Sequence, residues 1–404
     1  MNLKIAPSVM INAALFALVI YILTISRYAY NMPVGDDYDA ILAYLNKFVV
    51  ADTAEKIHLF FIQHNEHRIL LTHLVSISDL AVFGSINFIH LIWFGTFGWL
   101  LSIAAFWYFS AKERISPLEF APAAIILLTF SHHEMMTWAM TSIQQYYQVC
   151  FGIFTIGFMV NRRLFLSSIF YAAAIFTSGG GMSLVPLVNL YYLSQKKWRA
   201  LSISLIFTIL ILATYFFFLP YSSPPSSKIL ESLAHPLILV GYFVGFIGAL
   251  GNIYELGYGS ILCCGLILLS LFVYKIRASQ KQAPFFFWVC AYILITAFLT
   301  ALNRSDQGIY TSGDSRYSEY SLLFLASIYS MYLVCAKSTR GRSTVVKICF
   351  LFSIVIFCFW YPRALFHMGD RLHWLSNNIK THPNWEQAIE IKKESARLGV
   401  FNRE

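Results

Sequence analysis

The sequence predicts an all-α protein, a polytopic transmembrane helical bundle, and three observations carry that prediction. Apolar residues make up 58% of the 404-residue chain and charged residues only 12%, whereas a soluble domain carries about 25% charge. Hydrophobic runs of roughly 15–25 residues recur along the chain, each bounded by charge, and the mean hydropathy is +0.63. Lys and Arg fall in short clusters between those runs, which is the pattern of cytoplasmic loops.

The first run, 8–27, is long for a signal-peptide core and lacks a small-residue cleavage site, so it is expected to be an uncleaved anchor. Ten further spans are expected near 86–110, 117–131, 147–161, 164–178, 181–194, 200–220, 258–274, 284–302, 320–335 and 346–361. Eleven spans put the N-terminus in the cytoplasm and the C-terminus outside. They also put Lys4 and the clusters at 112–114, 162–163, 196–199, 275–281 and 337–347 on the inner side. Two more apolar stretches, 69–83 and 236–251, are expected to be re-entrant or interfacial, because otherwise the sides of the later loops invert. The transmembrane domain is thus expected over 1–361, with an outer loop at 28–68 and a short outer-face tail at 362–404. Within the tail, "NWEQAIEIKKESARLGVF" (384–401) reads as an amphipathic surface helix.

This layout excludes several function classes. The net charge of +9 is dispersed over small loops, so nucleic acid is not an expected partner. No P-loop and no GxGxxG follows a strand, and the inner loops are too short to build a nucleotide site. A substrate is therefore expected at the outer face or within the membrane. All seven cysteines lie in apolar runs without a CxxC pair, so neither a disulfide nor a zinc site is expected.

The polar chemistry gathers in the outer segments. After the first span comes "NMPVGDDYDA" (31–40), where Pro33 and Gly35 make a turn carrying Asp36 and Asp37. Adjacent acids in a partly dry site repel, which raises one pKa and suits a proton acceptor. A solvated turn with Asp37 or Asp39 as an N-cap accounts for the same residues. Next, "YDAILAYLNKFVV" (38–50) has the apolar spacing of an amphipathic helix on the membrane surface. The loop ends in "FIQHNEHRILLTHL" (61–74), crowding His64, Glu66, His67 and Arg68 together. Two histidines lack a third metal ligand at diagnostic spacing. Arg68 suits a lipid headgroup or phosphate through paired donors, with interfacial snorkelling as the alternative.

Further on, "SHHEMMTWAMTSIQQYYQ" (131–148) combines His132, His133, Glu134, Trp138 and Gln145. Rings that stack on sugar faces beside groups that bind hydroxyls make a sugar-binding surface; an interfacial aromatic belt is the other reading of Trp138 and Tyr147. The glycines of "FTSGGGMSLVP" (176–186) allow close approach of a helix or a ligand. Last, "NRSDQGIYTSGDSRYSEYS" (303–321) puts Arg316 and Tyr317 at the mouth of a span, where Arg316 suits a lipid phosphate or a surface pair with Asp314 or Glu319.

Together "GDDY" (35–38), "NEHRI" (65–69), the glycines 179–181 and "SRY" (315–317) resemble the GT-C class of multi-spanning glycosyltransferases, most of all bacterial O-antigen-modifying glucosyltransferases. The resemblance is to layout and short motifs. It implies a GT-C-like bundle in the bacterial inner membrane that takes a sugar from undecaprenyl phosphate and delivers it to a glycan such as O-antigen of lipopolysaccharide. It further implies Asp36 or Asp37 as catalytic base or metal holder, leaving a divalent cation open. Arg316, Arg68, His67 and Tyr317 would face the donor phosphate, and Glu66, His132, His133, Glu134, Trp138 and Gln145 the sugar or acceptor. A flippase that moves the same lipid without chemistry is the main alternative. An O-antigen polymerase or ligase would need a larger late outer loop, and a membrane acyltransferase would use His132 or His133.

Overall fold

Helix α1 (Pro7–Tyr28) begins on proline, whose fixed φ and missing N–H suit a first turn. The computed structural model, which describes residues 6–219, 221–222, 227–377 and 382–402, leads from there into a turn of π-helix at Tyr38–Ala43. α2 (Tyr44–Val50) continues it, and α3 (Thr53–Phe60) is capped by Asp52, which accepts from Glu55 N at 2.9 Å. A two-stranded antiparallel ribbon, Gln63–His64 against His67–Arg68, precedes α4 (Leu70–Phe83). Gly84 ends α4 in the left-handed region, at φ 77°. Asn87 then caps α5 (Phe88–Lys112), accepting from Ile89 N at 3.0 Å.

One hydrogen bond fixes the topology of this part. Phe88 N donates to Asn31 Oδ1 at 2.8 Å, so the end of α1 and the start of α5 share one end of the bundle. α4 therefore begins and ends on that side without crossing, as expected for 69–83. Ile86 N also donates to Val400 O at 2.8 Å, which brings the tail to the same end.

The bundle continues with α6 (Pro117–Leu127), α7 (Ala139–Val160), α8 (Leu164–Thr177), α9 (Leu184–Ser194) and α10 (Trp198–Ala213). Glycines set the closest approach: Gly95 and Gly98 of α5 admit Ser142 and Tyr147 of α7, and Gly157 admits Phe109. α11 (Ser227–Ala234) and α12 (Pro236–Ile247) meet at a bend of 102°, just ahead of 236–251, the stretch expected to be re-entrant or interfacial. α13 (Tyr258–Gln282), α14 (Pro284–Arg304), α15 (Ser318–Val334) and α16 (Thr339–Ser376) complete the bundle, and α17 (Trp385–Arg397) lies against the π-helical turn.

Six helices among the described residues are long and apolar enough to cross a membrane, or seven with the bent pair, which makes the chain a multi-pass membrane protein. They are α1, α5, α10 with its extension, α13, α14 and α16. Every stretch expected to span lies on a helix, yet α6, α8 and α9 have only 11, 14 and 11 residues. At about 1.5 Å per residue these reach roughly 16–21 Å, short of a ~30 Å hydrocarbon core. α7 has 22 residues but starts at Ala139, so Gln144, Gln145 and Gln148, expected in an outer loop, are helical and turned into the protein.

The basic clusters gather at the opposite end. Arg342 pairs with Glu119 and donates to Arg114 O at 2.7 Å, Lys275 and Glu113 both act on Cys335, and Arg162 acts on Lys197. Lys4 lies outside the described residues. α16 runs unbroken across residue 361, where the transmembrane domain was expected to end, with Pro362 inside the helix. Its 38 residues span about 57 Å. That length exceeds a ~30 Å hydrocarbon core, so the last turns project beyond it and pack on the 133–137 segment.

The crossing of α12 and α13 depends on Gly248 and Gly265, each facing a backbone carbonyl of the other helix that a Cβ would strike. Gly265→Val is expected to destabilise the detergent-solubilised protein by an overpacking cost of about 1–3 kcal/mol or more. Gly259→Ala, which meets open space, is expected to leave the melting temperature unchanged or slightly raised.

Candidate functional site

The outer loop is positioned by Asp37. Pro33 and Gly35 (φ 52°) turn the chain so that this carboxylate points inward, 1% exposed. Its Oδ2 accepts from Val34 N at 3.0 Å and its Oδ1 from Met140 N at 2.8 Å. Gly35 lies flat against the Trp138 ring, where a Cβ would come within 2.9 Å. Burial pushes the Asp37 carboxyl up to about 7, against the pull of the Met140 and Val34 amides; Asp36 adds to the rise and Arg371 opposes it. Asp36 stays half-buried and Asp39 turns away, pairing with His382 at 3.0 Å and accepting from Gln387 at 3.2 Å. Of the three acids, Asp36 is the one left for a ligand; Asp37 sits at the N-cap of the π-helical turn but gives its carboxylate to Val34 and Met140 instead of that turn, and Asp39 lies within it.

Arg68 and His67, neighbours in sequence, part company. Arg68 is fully buried and donates to backbone carbonyls: Nε and Nη2 to Tyr215 O at 3.0 and 2.8 Å, Nη2 to Leu219 O at 3.1 Å, and Nη1 to Phe61 O. Those carbonyls occupy the donors expected for a phosphate. His67 instead faces Gly179, with Glu66 and Arg304 close enough for their charges to act on it, and burial lowers its pKa. Glu66 forms a half-exposed pair with Lys228 at 3.7 Å. On the other side of the loop, the charges of Asp36 and Asp39 act on His64.

From His67 a line of polar groups runs into the bundle. Gly180, next to Gly179, gives room to the Gln148 side chain, whose Nε2 donates to Tyr292 OH. Tyr320 OH donates to Gln148 Oε1 at 2.8 Å and to Gln145 Oε1 at 3.2 Å. Beside Tyr320 sits Glu319, fully buried, with neither carboxyl oxygen hydrogen-bonded to another residue and with Arg316 as the opposite charge that acts on it. Arg316 donates to Asp314 Oδ2 at 2.7 Å and lies over the Tyr317 ring at 5.2 Å.

The 131–138 segment is held between the SRY turn and α16. Ser315 Oγ donates to Ser131 O at 3.0 Å and accepts from Glu134 N at 3.2 Å. From the projecting turns of α16, Arg371 Nη1 donates to Glu134 O at 2.6 Å and Thr137 Oγ1 at 3.2 Å, its guanidinium 5.9 Å from the Trp138 ring centre. His133 stacks on His367 with ring centres 4.8 Å apart. His132, expected on a sugar surface, instead fills the core between Tyr21, Trp99 and Tyr146 and is fully buried.

The structure thus links His67, through the glycines, to Gln148, Tyr320 and Gln145, with the charges of Asp36 and Arg316 acting at its two ends, and Glu134 adjoins the SRY turn through Ser315. Arg68 and His132 are committed to the fold. Glu319, read from the sequence as a surface partner of Arg316, is fully buried instead, and residues that the sequence reading missed are Tyr292, Gln148, His367 and Arg371. A signal for the last two is "RALFHMGDRLHW" (363–374), in which Arg363, His367 and Arg371 recur every four residues on one helical face. Among the described residues no three His, Cys, Asp or Glu side chains come together to hold a metal ion, so a divalent cation finds no ligand set there. Compared with protein-family models, curated proteins and solved structures, the chain matches none.

Two outcomes follow from these bonds. Because the folded pKa of Asp37 lies above its unfolded value, the stability it contributes is fully present below pH ~4 and is lost as pH rises through about 7. The melting-temperature gap between wild type and Asp37→Asn is therefore expected to be larger at pH 5 than at pH 8. Arg68→Ala leaves buried carbonyls unsatisfied at about 1–3 kcal/mol each. It is expected to reduce folded protein in size-exclusion profiles, and Arg68→Lys, lacking the planar fork, is expected to rescue little.

Proposed function

We propose that the chain is a GT-C-like membrane glycosyltransferase with about eleven spans in the bacterial inner membrane, its N-terminus cytoplasmic. It moves a sugar from undecaprenyl phosphate to a glycan acceptor at the periplasmic face. One observation carries this reading. The four motifs of the resemblance, far apart in sequence, lie along one line: the charge of Asp36 acts on His64, His67 lies against Gly179, Gly180 makes room for Gln148, Gln148 accepts from Tyr320, and the charge of Arg316 acts on the adjacent Glu319.

In this mechanism Asp36 takes the proton of the acceptor hydroxyl as its oxygen attacks the anomeric carbon. A new carbon–oxygen bond forms, the bond from the anomeric carbon to the carrier's phosphate oxygen breaks, and the phosphate leaves with the electron pair. Displacement inverts the anomeric centre. Arg316 and Arg304 stabilise the developing phosphate charge, with His67 as a neutral donor, and Gln145 binds the sugar. Asp37 is a positioning residue that fixes the turn carrying Asp36. No step requires a metal ion.

Glu319 favours the second reading, because an unpaired buried carboxyl at the start of a membrane helix is a feature of transporters. A flippase would move labelled donor across proteoliposomes without consuming it. The transferase reading expects consumption that depends on acceptor. It also expects Asp36→Asn to lower the added sugar mass on surface glycan by about 10²–10⁴-fold at normal protein level, and Arg316→Ala to weaken donor use. Full glycan modification by Asp36→Asn would remove the assigned base.

A further inference from the structure

A cavity of about 780 Å³ opens at the outer end, between the 131–134 segment, the 310–318 turns and the projecting part of α16. That volume falls within the roughly 300–1,000 Å³ of small-ligand sites. It continues towards Arg371 through a smaller pocket of about 100 Å³ that shares His133, Glu134 and His367. We infer that this groove binds a neutral, hydroxyl-rich saccharide chain, with Tyr310 and Tyr254 as stacking faces and Glu134, His133 and Ser131 as its hydrogen-bonding floor.

Three observations carry the inference. First, a polar atom of a lining residue is buried yet unpartnered: Ser131 Oγ, in a residue 1% exposed. A buried polar group without a partner is costly, and a hydroxylated ligand can satisfy it. Second, the rim is aromatic. Tyr254 is 79% exposed and Tyr310 43% exposed, with ring centres 6.3 Å apart, so flat apolar faces stand open beside polar groups.

Third, the charges on the walls offset one another. Glu134, Asp314 and Arg363 line the same groove, and Asp314 is already paired with Arg316 at 2.7 Å. Burial, with His367 and Arg371 nearby, lowers His133 to about 3, so its ring is neutral at pH 7. A phosphate offers only acceptors and would meet two carboxylates. A sugar hydroxyl both donates and accepts, so it matches carboxylate, imidazole, serine and guanidinium alike. A lipid headgroup is the weaker fit for that reason.

The groove deepens the transferase reading by locating the acceptor chain, and it rests on that reading only for its role, not for the binding itself. The test is therefore a binding measurement. Full-length protein in phosphatidylcholine nanodiscs is titrated with neutral tetrasaccharides of glucose, galactose, mannose and N-acetylglucosamine, followed by saturation-transfer NMR. At least one is expected to bind. Tyr310→Ala and Glu134→Gln, both at half-exposed or exposed side chains, are each expected to weaken it roughly tenfold, about 1.4 kcal/mol. Absence of transfer to every sugar, or binding unchanged in both variants, overturns the proposal. Retention of phosphatidylglycerol in native mass spectra, lost in Arg363→Ala, overturns it in favour of a lipid. Because no transfer reaction is read, an active Asp36→Asn enzyme would refute the assigned base and leave this result standing.

Discussion

The architecture of the outer end depends on a single carboxylate. Asp37 is shut away from solvent between the amides of Val34 and Met140, tying the first outer loop to the segment before α7. Burying a charge is costly unless donors surround it, and two backbone amides with Arg371 nearby offset only part of that cost. Asp36 stays half-buried beside Asp37, and Asp39, two residues on, faces the tail. Three acids within four residues thus serve three purposes. One anchors, one is available to a ligand, and one receives His382 and Gln387 from the tail.

Much of the fold was legible because hydrophobic length and charge boundaries are one-dimensional properties. The apolar helices, the placing of both ends of 69–83 at one end of the bundle and the gathering of basic clusters at the other follow from them, whereas α6, α8 and α9 fall short of the spans expected there. α16 runs on past 361, where the last span was expected to end, and continues through Pro362, as membrane helices allow when neighbours take up the freed carbonyl. The tail was legible as an amphipathic helix, but its partner was not. α17 docks on the first loop through Ser395 Oγ donating to Asn46 Oδ1 at 2.9 Å, a pairing across 349 residues that no local pattern encodes.

The site was legible by residue type and opaque by direction. Arg68 has the donors for a phosphate, yet backbone carbonyls of 61, 215 and 219 present the same acceptor chemistry, so the sequence contains nothing to separate the two uses. His132 and His133 are adjacent and identical, and only their opposite orientation sends one into an aromatic core and the other to the groove. The glycines at 179–181 left ligand approach and packing both open. They serve side-chain approach, Gly179 for His67 and Gly180 for Gln148, while Gly181 abuts the Ala174 carbonyl.

Arg316 joins these parts energetically. Its present partner, Asp314, is about a third exposed. Such a pair contributes only about 0–1 kcal/mol, because water competes for both members. Glu319 is different: it is fully buried, and the nearby guanidinium is the one opposite charge acting on it among the described residues. An anion entering from the outer side therefore displaces Asp314 at little cost. A carboxyl buried without a hydrogen-bond partner favours its neutral form, so Glu319 does not compete with such an anion for the guanidinium. In the transferase reading, Arg316 exchanges a weak, water-exposed partner for the leaving phosphate, and the buried carboxyl beside it adds no rival charge.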